Sequence, residues 1–287
     1  MATDKEQIIA SIDGSAGSLA VCEAGAWVAA RLERSLLLLH TLERRQQHGA
    51  DDWSGQIGLG AQSELLERMA QLDQERGKLA LQYGKTLLAE AEQRVKDRGL
   101  QQVQTLLRHG DFVEALAELE AQARLMVVGK VGTEHAGEFT ALGSHIETLI
   151  RQVTTSVLIT GAHFTAPESF MLAYDGRDTA ERSLERIIQG GLLAGLPCHL
   201  VMVGKQDENQ RAKFEAAGQR LEQEGYAVSP CLLEGDITDA LLNYQKQHQI
   251  GLLIMGAFSH SKVRHLFLGS NTIRMIQSCQ APLIVLR

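Results

Sequence analysis

The sequence predicts an α/β protein with two tandem domains, each built on a doubly wound, five-stranded parallel sheet in the strand order 3-2-1-4-5. The first observation behind this prediction is an internal repeat. The segments Leu125–Ser144 and Leu252–Ser270 each consist of an apolar run, a glycine, a loop and a Leu-Gly-Ser tripeptide. The second observation is that each half begins with a short apolar run that ends in Asp-Gly, at Asp13 and at Asp175. The third is the alternation of strand-like and helix-like segments, which favours parallel strands joined by right-handed crossovers.

The chain length of 287 residues suits two domains of ordinary size. We place the first domain at 1–162 and the second at 163–287, with a linker at Gly161–Glu168. The Asp-Gly turn and the following loop glycine lie 116 residues apart in the first half and 81 apart in the second. The first domain therefore contains an insertion of about 35 residues, which we place around 43–77 because the chain is polar and aperiodic there.

The composition argues against several classes of protein. An apolar content of 44% with only 5% aromatic residues predicts aliphatic cores, as in parallel sheets covered by helices. The net charge of −7 and the pI near 5.8 argue against a nucleic-acid-binding protein. No run approaches the roughly 20 apolar residues of a membrane span and no signal peptide is visible, so we expect a cytoplasmic protein. Scattered cysteines favour free thiols over disulfides or a metal site. They are Cys22, Cys198, Cys231 and Cys279.

In the first half, five apolar runs are predicted as buried strands and four segments with helical periodicity as helices. The strands are Gln7–Ile12, Leu36–Leu39, Val103–Leu107, Leu125–Val128 and Ser156–Thr160. The helices are Ser18–Glu33, Ser63–Gly99, Asp111–Gln122 and His145–Gln152. The long second helix contains Gly77 and Gly84, and we expect these glycines to bend or break it.

The second half repeats this order with shorter connections. Its strands are Phe170–Tyr174, His199–Val203, Ala227–Leu233, Leu252–Met255 and Leu283–Leu286. Its helices are Thr179–Ala194, Asn209–Glu224, Thr238–His248 and Asn271–Gln280. The fifth strand of each half would be an aliphatic sheet edge, and such edges invite pairing. We therefore expect the two halves to form an internal pseudo-dimer through these strands; an additional homodimer through other faces stays open.

A ligand in such a sheet binds at the carboxyl ends of the strands, where the strand order reverses. Asp13 and Asp175 end the first strands, and Gly129 and Gly256 end the fourth strands. A strand that ends in glycine and leads to a helix start is typical of a phosphate cradle, because free N–H groups point at the anion. The alternative is a tight strand–helix connection with a solvated basic face.

The sequence resembles a tandem universal stress protein over nearly all of both halves. The family's nucleotide motif is a glycine, two residues, a glycine, nine residues, and a glycine followed by serine or threonine. The second half matches this spacing with Gly256, Ser259 and Gly269-Ser270, and serine replaces the middle glycine. In the first half, Gly129 and Gly132 match, but ten residues precede Gly143-Ser144. The resemblance implies a Rossmann-like fold.

The resemblance also implies ATP as the ligand, with or without Mg²⁺. In the second half, Asp175 would contact the nucleoside and the main chain of Val203 the adenine. The phosphates would lie on a set of loop and helix-start residues. These are Gly256, Ser259, His260, Gly269, Ser270 and Asn271. The matching positions in the first half are Asp13, Thr41, Gly129, Gly132, Gly143 and Ser144.

Charge favours the second half as the ATP site. Its loop contains Lys262 and Arg264 and no acid, whereas the loop of the first half contains Glu134 and Glu138. Carboxylates near a triphosphate are unfavourable unless a metal lies between them. The first half is then weaker or degenerate, or is retained for packing and dimer geometry.

Three functions are compatible with these residues. The first is an ATP-binding stress-response module with a regulatory or signalling role. The second is a nucleotide-free scaffold that acts through protein–protein contacts. The third is an enzyme of the wider adenine-nucleotide α-hydrolase type, which would need a catalytic constellation that the residues do not offer. No general base is placed to activate water, so we expect no enzyme beyond slow ATP hydrolysis, and no catalytic or metal-ligating residue.

Overall fold

The structure is a computed structural model that describes residues 6–42, 59–130, 139–205, 207–257 and 269–287, with only the main chain described at 59–66 and 139–144. Within these ranges the chain forms ten strands. In the first half they are β1 (Gln7–Ser11), β2 (Ser35–Leu42), β3 (Val103–His109), β4 (Ala123–Gly129) and β5 (Val157–Thr160). In the second half they are β6 (Phe170–Ala173), β7 (Cys198–Val203), β8 (Val228–Leu233), β9 (Leu252–Gly256) and β10 (Leu283–Leu286).

Eight helices occur in the same described ranges. Those of the first half are α1 (Ser18–Leu32), α2 (Leu59–Asp97), α3 (Phe112–Glu118) and α4 (Phe139–Gln152). Those of the second half are α5 (Asp178–Gly190), α6 (Glu208–Gln223), α7 (Ile237–Gln247) and α8 (Ser270–Ser278). None of the helices in the described part is both long and apolar enough to cross a membrane.

The strands form one sheet in the order β3-β2-β1-β4-β5-β10-β9-β6-β7-β8. Each half has the predicted order 3-2-1-4-5, so the predicted α/β class with two doubly wound halves is confirmed. Neighbouring residues of β1 explain why the strands read as continuous apolar runs. Ile8 and Ala10 belong to the core on one face of the sheet, and Ile9 belongs to the core on the other. Helices α1, α2, α5 and α6 cover the first face, and α3, α4, α7 and α8 cover the second.

The two halves are joined where β5 and β10 pair antiparallel. Leu283 is opposite Ile159, and Val285 is opposite Val157. The pairing of the fifth strands is the one that sequence analysis predicts. Its physical basis is that both strands are wholly buried aliphatic segments, and pairing removes two unsatisfied sheet edges.

Two cations reinforce the junction, one from each half. The ammonium group of Lys130 in the first half donates to the carbonyl oxygens of Gln277 and Cys279, at 2.5 and 3.0 Å, where α8 ends. The guanidinium group of Arg287 in the second half donates to the carbonyl oxygen of Arg151 at 2.8 Å, near the end of α4. Carbonyl groups at a helix C-terminus lack intrahelical partners and favour positive charge. Each half therefore supplies a cation to a helix end of the other.

Helix α2 differs from the prediction, because it is continuous over 39 residues and neither Gly77 nor Gly84 breaks it. Gly84 is needed for close packing rather than for a bend. A Cβ atom at this position would lie 2.8 Å from the side chain of Leu107 and 2.9 Å from that of His40. Helical residues around Gly84 thus lie directly on β2 and β3.

We expect histidine packing between β7 and α7 to make the stability of the second half depend on pH. The Nδ1 atom of His199 lies 3.1 Å from the hydroxyl oxygen of Tyr244. The ring centroids of His199 and His248 are 5.4 Å apart. Burial, and then the proximity of His248, lower the pKa of His199 below its ordinary value of 6.5. The unfolded chain therefore takes up a proton near pH 6.5 that the folded chain does not. We expect the free energy of unfolding to fall as the pH drops below about 6.5, and the loss to level off below the folded pKa.

Urea unfolding at about pH 7.5 and about pH 5.5 would measure this effect. His199→Gln should lose less stability between the two pH values than the wild type. His163→Gln, at an exposed histidine, should behave like the wild type. Equal losses in the His199 variant and the wild type would contradict the assignment.

Candidate functional site

The described residues of the second half enclose a cavity of about 240 Å³ at the carboxyl ends of β6 and β7. Ala173 to Asp175 form one wall and Val201 to Val203 form another. Strand β6 pairs with β7 on one side and with β9 on the other. The chain order reverses at this strand, so the cavity occupies the crevice in which open α/β sheets bind ligands.

Three of the predicted site residues line this cavity. They are Asp175 after β6, Val203 at the end of β7, and Asn271 in the first turn of α8. The carboxylate of Asp175 accepts a hydrogen bond from the main-chain N–H of Arg177 at 3.1 Å. The turn between them needs glycine, since Gly176 has a φ of +72°. The Asp-Gly motif thus holds the carboxylate beside the cavity.

Further lining residues were not singled out from the sequence. Arg177 and Lys205 bring positive charge to the cavity, and Ile237 and Leu241 of α7 bring apolar side chains. The signal for the two cations was their position directly after predicted strand ends. For the two apolar residues the only signal was their spacing of four along a helix, which does not tell a core face from a ligand-facing one.

The starts of α8 and α5 have no side-chain cap, unlike those of α6 and α7. Helices α6 and α7 begin with Asp207 and Asp236, whose carboxylates accept hydrogen bonds from main-chain N–H groups of the first turn. Helix α8 begins with Gly269, which has extended geometry and no side-chain cap. The carbonyl of Gly269 accepts from Thr272 and Ile273. The first N–H groups of an uncapped helix are left for an external acceptor, and an anion suits them.

An ion pair fixes α7 and α8 beside the cavity. A guanidinium nitrogen of Arg274 lies 2.9 Å from a carboxylate oxygen of Asp236. This hydrogen bond lowers the pKa of Asp236, with further contributions from main-chain N–H groups of α7. In the first turn of α8, the fully buried hydroxyl of Thr272 has no hydrogen-bond partner among the described residues. No group of three or more metal-ligating side chains occurs within the described ranges.

Gly256, the first glycine of the second-half motif, is the last residue of β9. A Cβ atom there would lie 3.2 Å from the hydroxyl of Ser183 and 3.3 Å from the carbonyl oxygen of Thr179. The position therefore has a packing reason for glycine, since α5 approaches β9 closely. Gly269, by contrast, has a φ of −64° that any residue can adopt.

In the first half, side chains cover the equivalent strand ends. The carboxylate of Asp13 accepts hydrogen bonds from the hydroxyl of Ser18 at 3.0 Å and from the N–H of Ser15 at 2.9 Å. Tyr83 of α2 places its hydroxyl against Gly14, so closely that a Cβ at Gly14 would lie 2.0 Å from it. The buried ring of His40 packs on Tyr83 edge to face. Among the described residues, the atoms nearest to a Cβ at Gly176 belong to Lys213 and Met202 and lie at 3.7 Å or more, so no described side chain covers Gly176 as closely.

The glycine motif of the first half is placed differently from that of the second. Gly129 ends β4, as predicted. Helix α4 begins at Phe139 rather than at the predicted His145. Gly143 and Ser144 therefore lie inside α4, where main-chain N–H groups are used by the helix itself. Thr41 lies in β2. Three predicted residues lie outside the described residues, namely Gly132, Ser259 and His260.

Known proteins resemble this chain over its whole length. A family model described as the universal stress protein family matches residues 6–161 and 199–287. The universal stress protein Slr1230 of Synechocystis sp. is 31% identical over 286 residues, which cover 98% of this chain and 100% of that protein. A universal stress protein structure from Archaeoglobus fulgidus has a TM-score of 0.73 at 17% identity and covers 99% of both chains. A putative universal stress protein structure from Pseudomonas aeruginosa has a TM-score of 0.64 at 15% identity, with 99% and 94% covered.

Proposed function

Since the chain belongs to the universal stress protein family, we propose that it is a regulatory or signalling module of the stress response that binds ATP in its second half. The observation that carries this proposal is the cavity at the carboxyl ends of β6 and β7. It brings Asp175, Val203 and Asn271 together beside the uncapped start of α8. These residues come from three separate elements, and their convergence at one crevice supports a built ligand site rather than a solvated loop.

The dimensions and lining of the cavity suit the nucleoside. Its volume of about 240 Å³ lies just below the range of about 300–1,000 Å³ typical of small-molecule pockets. The cavity would hold the adenosine part, with Ile237 and Leu241 as apolar walls for the base. The main chain of Val203 would bind the edge of the adenine, and the carboxylate of Asp175 would accept a hydrogen bond from a nucleoside donor.

The phosphates would then extend from the cavity towards α8. Asn271 lines the cavity and also belongs to the first turn of α8, so it connects the two parts of the site. The free N–H groups of that turn, together with the positive end of the helix dipole, favour a phosphate. Lys205 and Arg177 add positive charge at the same end of the sheet. Ser259, His260 and Gly256 complete the proposed phosphate-binding set.

The first half is proposed not to bind ATP. Tyr83 lies against Gly14, which is the position where a nucleoside would meet Asp13. The carboxylate of Asp13 already accepts from Ser15 and Ser18. Helix α4 also begins before Gly143, so this glycine cannot offer a free N–H group at a helix start. We therefore expect one ATP per chain.

Binding rather than turnover is the proposed role. Asp175 is the carboxylate that lines the cavity, and its proposed contact is with the nucleoside, away from the γ-phosphate. The site would therefore hydrolyse ATP slowly at most, and the loaded and empty forms would differ in the partners that they bind. We also propose a cytoplasmic location, because four free cysteines suit a reducing compartment.

A nucleotide-free scaffold is the second candidate function. The observation in its favour is the exposure of large apolar side chains on α2, which include Met69, Leu72 and Leu79. Exposed apolar surface of this kind is typical of a protein-binding face. Such a face is compatible with either function, whereas the cavity at the switch point favours a ligand-binding one.

Mass spectrometry of nucleotide released from freshly purified protein, followed by calorimetric titration with ATP and Mg²⁺, would test the proposal. We expect adenine nucleotide in the released fraction and one binding event per chain. Two events per chain would show that the first half also binds. A folded protein that releases no nucleotide and gives no titration heat would exclude ATP and leave the scaffold.

A further inference from the structure

Helix α2 has one part that packs on the sheet and another that does not. Its second part lies on the core through Gly84, Leu88, Ala91 and Val95, all of which are buried. The part before it, residues 67–80, is exposed at every position. Apart from adjacent residues and main chain of the same helix, no described heavy atom lies within 4 Å of the Cβ position of Gly77, so contact with the core has ended at that turn. About 14 residues of helix, 67–80, thus extend beyond the packed domain, which the helix reaches again at Tyr83.

This extended part has an apolar stripe of its own. Met69, Leu72 and Leu79 are 47%, 49% and 65% exposed, and Tyr83, at the edge of the packed domain, is 53% exposed. The core-facing side of α2 contains Gly84, and two turns earlier the same side of the helix contains Gly77 rather than a residue of the exposed stripe. The exposed stripe therefore runs beside the line of Gly84 and Leu88, and it meets the packed domain at Tyr83, which lies against Gly14 and His40.

The spacing of the stripe is that of a coiled-coil seam. Successive positions 69, 72, 76, 79 and 83 alternate between steps of three and four residues, as the a and d positions of a heptad do. Four of the five side chains are apolar, and the fifth is Arg76. A seam with this period is complementary to another helix, because knobs from one helix fit holes in the other only when both follow the same repeat.

The charges of this segment favour a second copy of the same helix as its partner. Residues 67–83 contain three acidic and three basic side chains, so the segment has no net charge that would favour a strongly acidic or basic partner. The acids are Glu67, Asp73 and Glu75, and the bases are Arg68, Arg76 and Lys78. A surface with balanced, interspersed charges is complementary to a copy of itself, and closed two-fold symmetry is the commonest outcome for such a surface.

We propose that the extended part of α2 pairs with the same part of a second copy of this chain, as a short antiparallel coiled coil. A parallel pair would place Arg76 against Arg76 of the partner subunit, because equivalent a positions meet in that arrangement. An antiparallel pair places a positions against d positions, which separates the two arginines. It also brings g positions together, so that Arg68 meets Glu75 of the partner subunit, twice by symmetry.

The length of the seam sets the strength of this association. The 14 exposed residues from 67 to 80 span about 21 Å, which is two heptads. Such a pair buries less area than the standard protein interface of about 1,600 Å². We therefore expect a dissociation constant on the order of micromolar, and an equilibrium between one and two chains. The inference rests on α2 and is independent of ATP binding.

Sedimentation velocity of the full chain at low to high micromolar concentration would test this inference. The wild type should shift from monomer to dimer. The double variant Leu72→Glu/Leu79→Glu should dissociate at least tenfold more readily, and its exposed positions should leave the fold unchanged by circular dichroism. Leu232→Glu is the matched control, because this leucine is 43% exposed on the edge strand β8 and far from the seam in sequence. It should dimerise like the wild type.

A charge exchange would test the antiparallel arrangement. Arg68→Glu alone should weaken the dimer about tenfold, and Arg68→Glu/Glu75→Arg should restore it, since both symmetric pairs are re-formed with reversed sign. A wild type that stays monomeric throughout would overturn the proposal. A dimer that survives the leucine substitutions but is lost in Leu232→Glu would overturn it as well, in favour of pairing through the sheet edge.

Discussion

Gly269→Glu is expected to raise the dissociation constant for ATP at least tenfold, and to leave the fold intact. Gly269 occupies the N-cap position of α8 and has no side chain to cap the helix. Its main chain is extended, so any residue fits there without backbone strain. A carboxylate at this position is stabilised by the positive end of the helix dipole and can accept hydrogen bonds from the N–H groups of the first turn. It would thereby occupy the position that we assign to a phosphate and repel the triphosphate. Tenfold in affinity corresponds to about 1.4 kcal/mol.

Calorimetric titration of three variants would separate charge from size. Gly269→Gln has the same shape without the charge, and Gly269→Ala adds only a methyl group. We expect affinity to fall in the order Ala, Gln, Glu, and the melting temperature to stay within a few degrees in all three. Equal affinity for the wild type and the Glu variant would place the phosphates elsewhere and contradict the assignment of α8.

Ile284→Asp is expected to cause the largest loss of stability, at least about 4 kcal/mol, or to prevent folding altogether. Ile284 is 2% exposed in β10 and pairs with Leu158 of the first half and Ile254 of the second. A carboxylate there would be buried without a partner at the strand that joins both halves. Domains have only about 5–15 kcal/mol of total stability, so this loss would be a large fraction of it.

Milder variants keep this prediction testable when the aspartate variant does not fold. Ile284→Ala should cost about 2–4 kcal/mol through the cavity that it leaves. Leu232→Ala on the exposed edge strand β8 should cost less than about 1 kcal/mol. Urea unfolding would measure both. If Ile284→Ala were no more destabilising than Leu232→Ala, the pairing of β5 with β10 could not be a main support of the sheet.

Local sequence signals were sufficient for the strands and their order. Apolar runs such as Leu36–Leu39 and Leu252–Met255 are too short and too continuous for surface helices, and each lies between segments with helical periodicity. Doubly wound topology then follows from the handedness of the crossovers. The boundaries of α4 and the continuity of α2 could not be predicted in this way. Gly84 illustrates the reason, because its role depends on His40 and Leu107, which approach it only in the folded sheet.

Some residues of the candidate site could be predicted from the sequence, and others could be identified only from the structure. Asp175 and Asn271 could be selected from the sequence, because one ends a predicted strand and the other starts a predicted helix, whereas Val203 was implied by the family resemblance. Lys205 and Ile237 could not be found with equal ease, because only the packing of α7 and of the segment after β7 brings them to the cavity. Tyr83 was not predictable either, since 69 residues separate it from Gly14.

By itself, the sequence determined the fold class, the tandem repeat, the family resemblance and the pairing of the fifth strands. All of these depend on patterns that are local or that recur at a fixed spacing. The tertiary structure decided which half keeps an open crevice and which helix face stays uncovered. Both depend on α2, whose packed end places Tyr83 over Gly14 and whose other end extends away from the sheet. The physical reason is that such contacts join residues far apart in the chain, and their geometry is set by side-chain packing that no local pattern encodes.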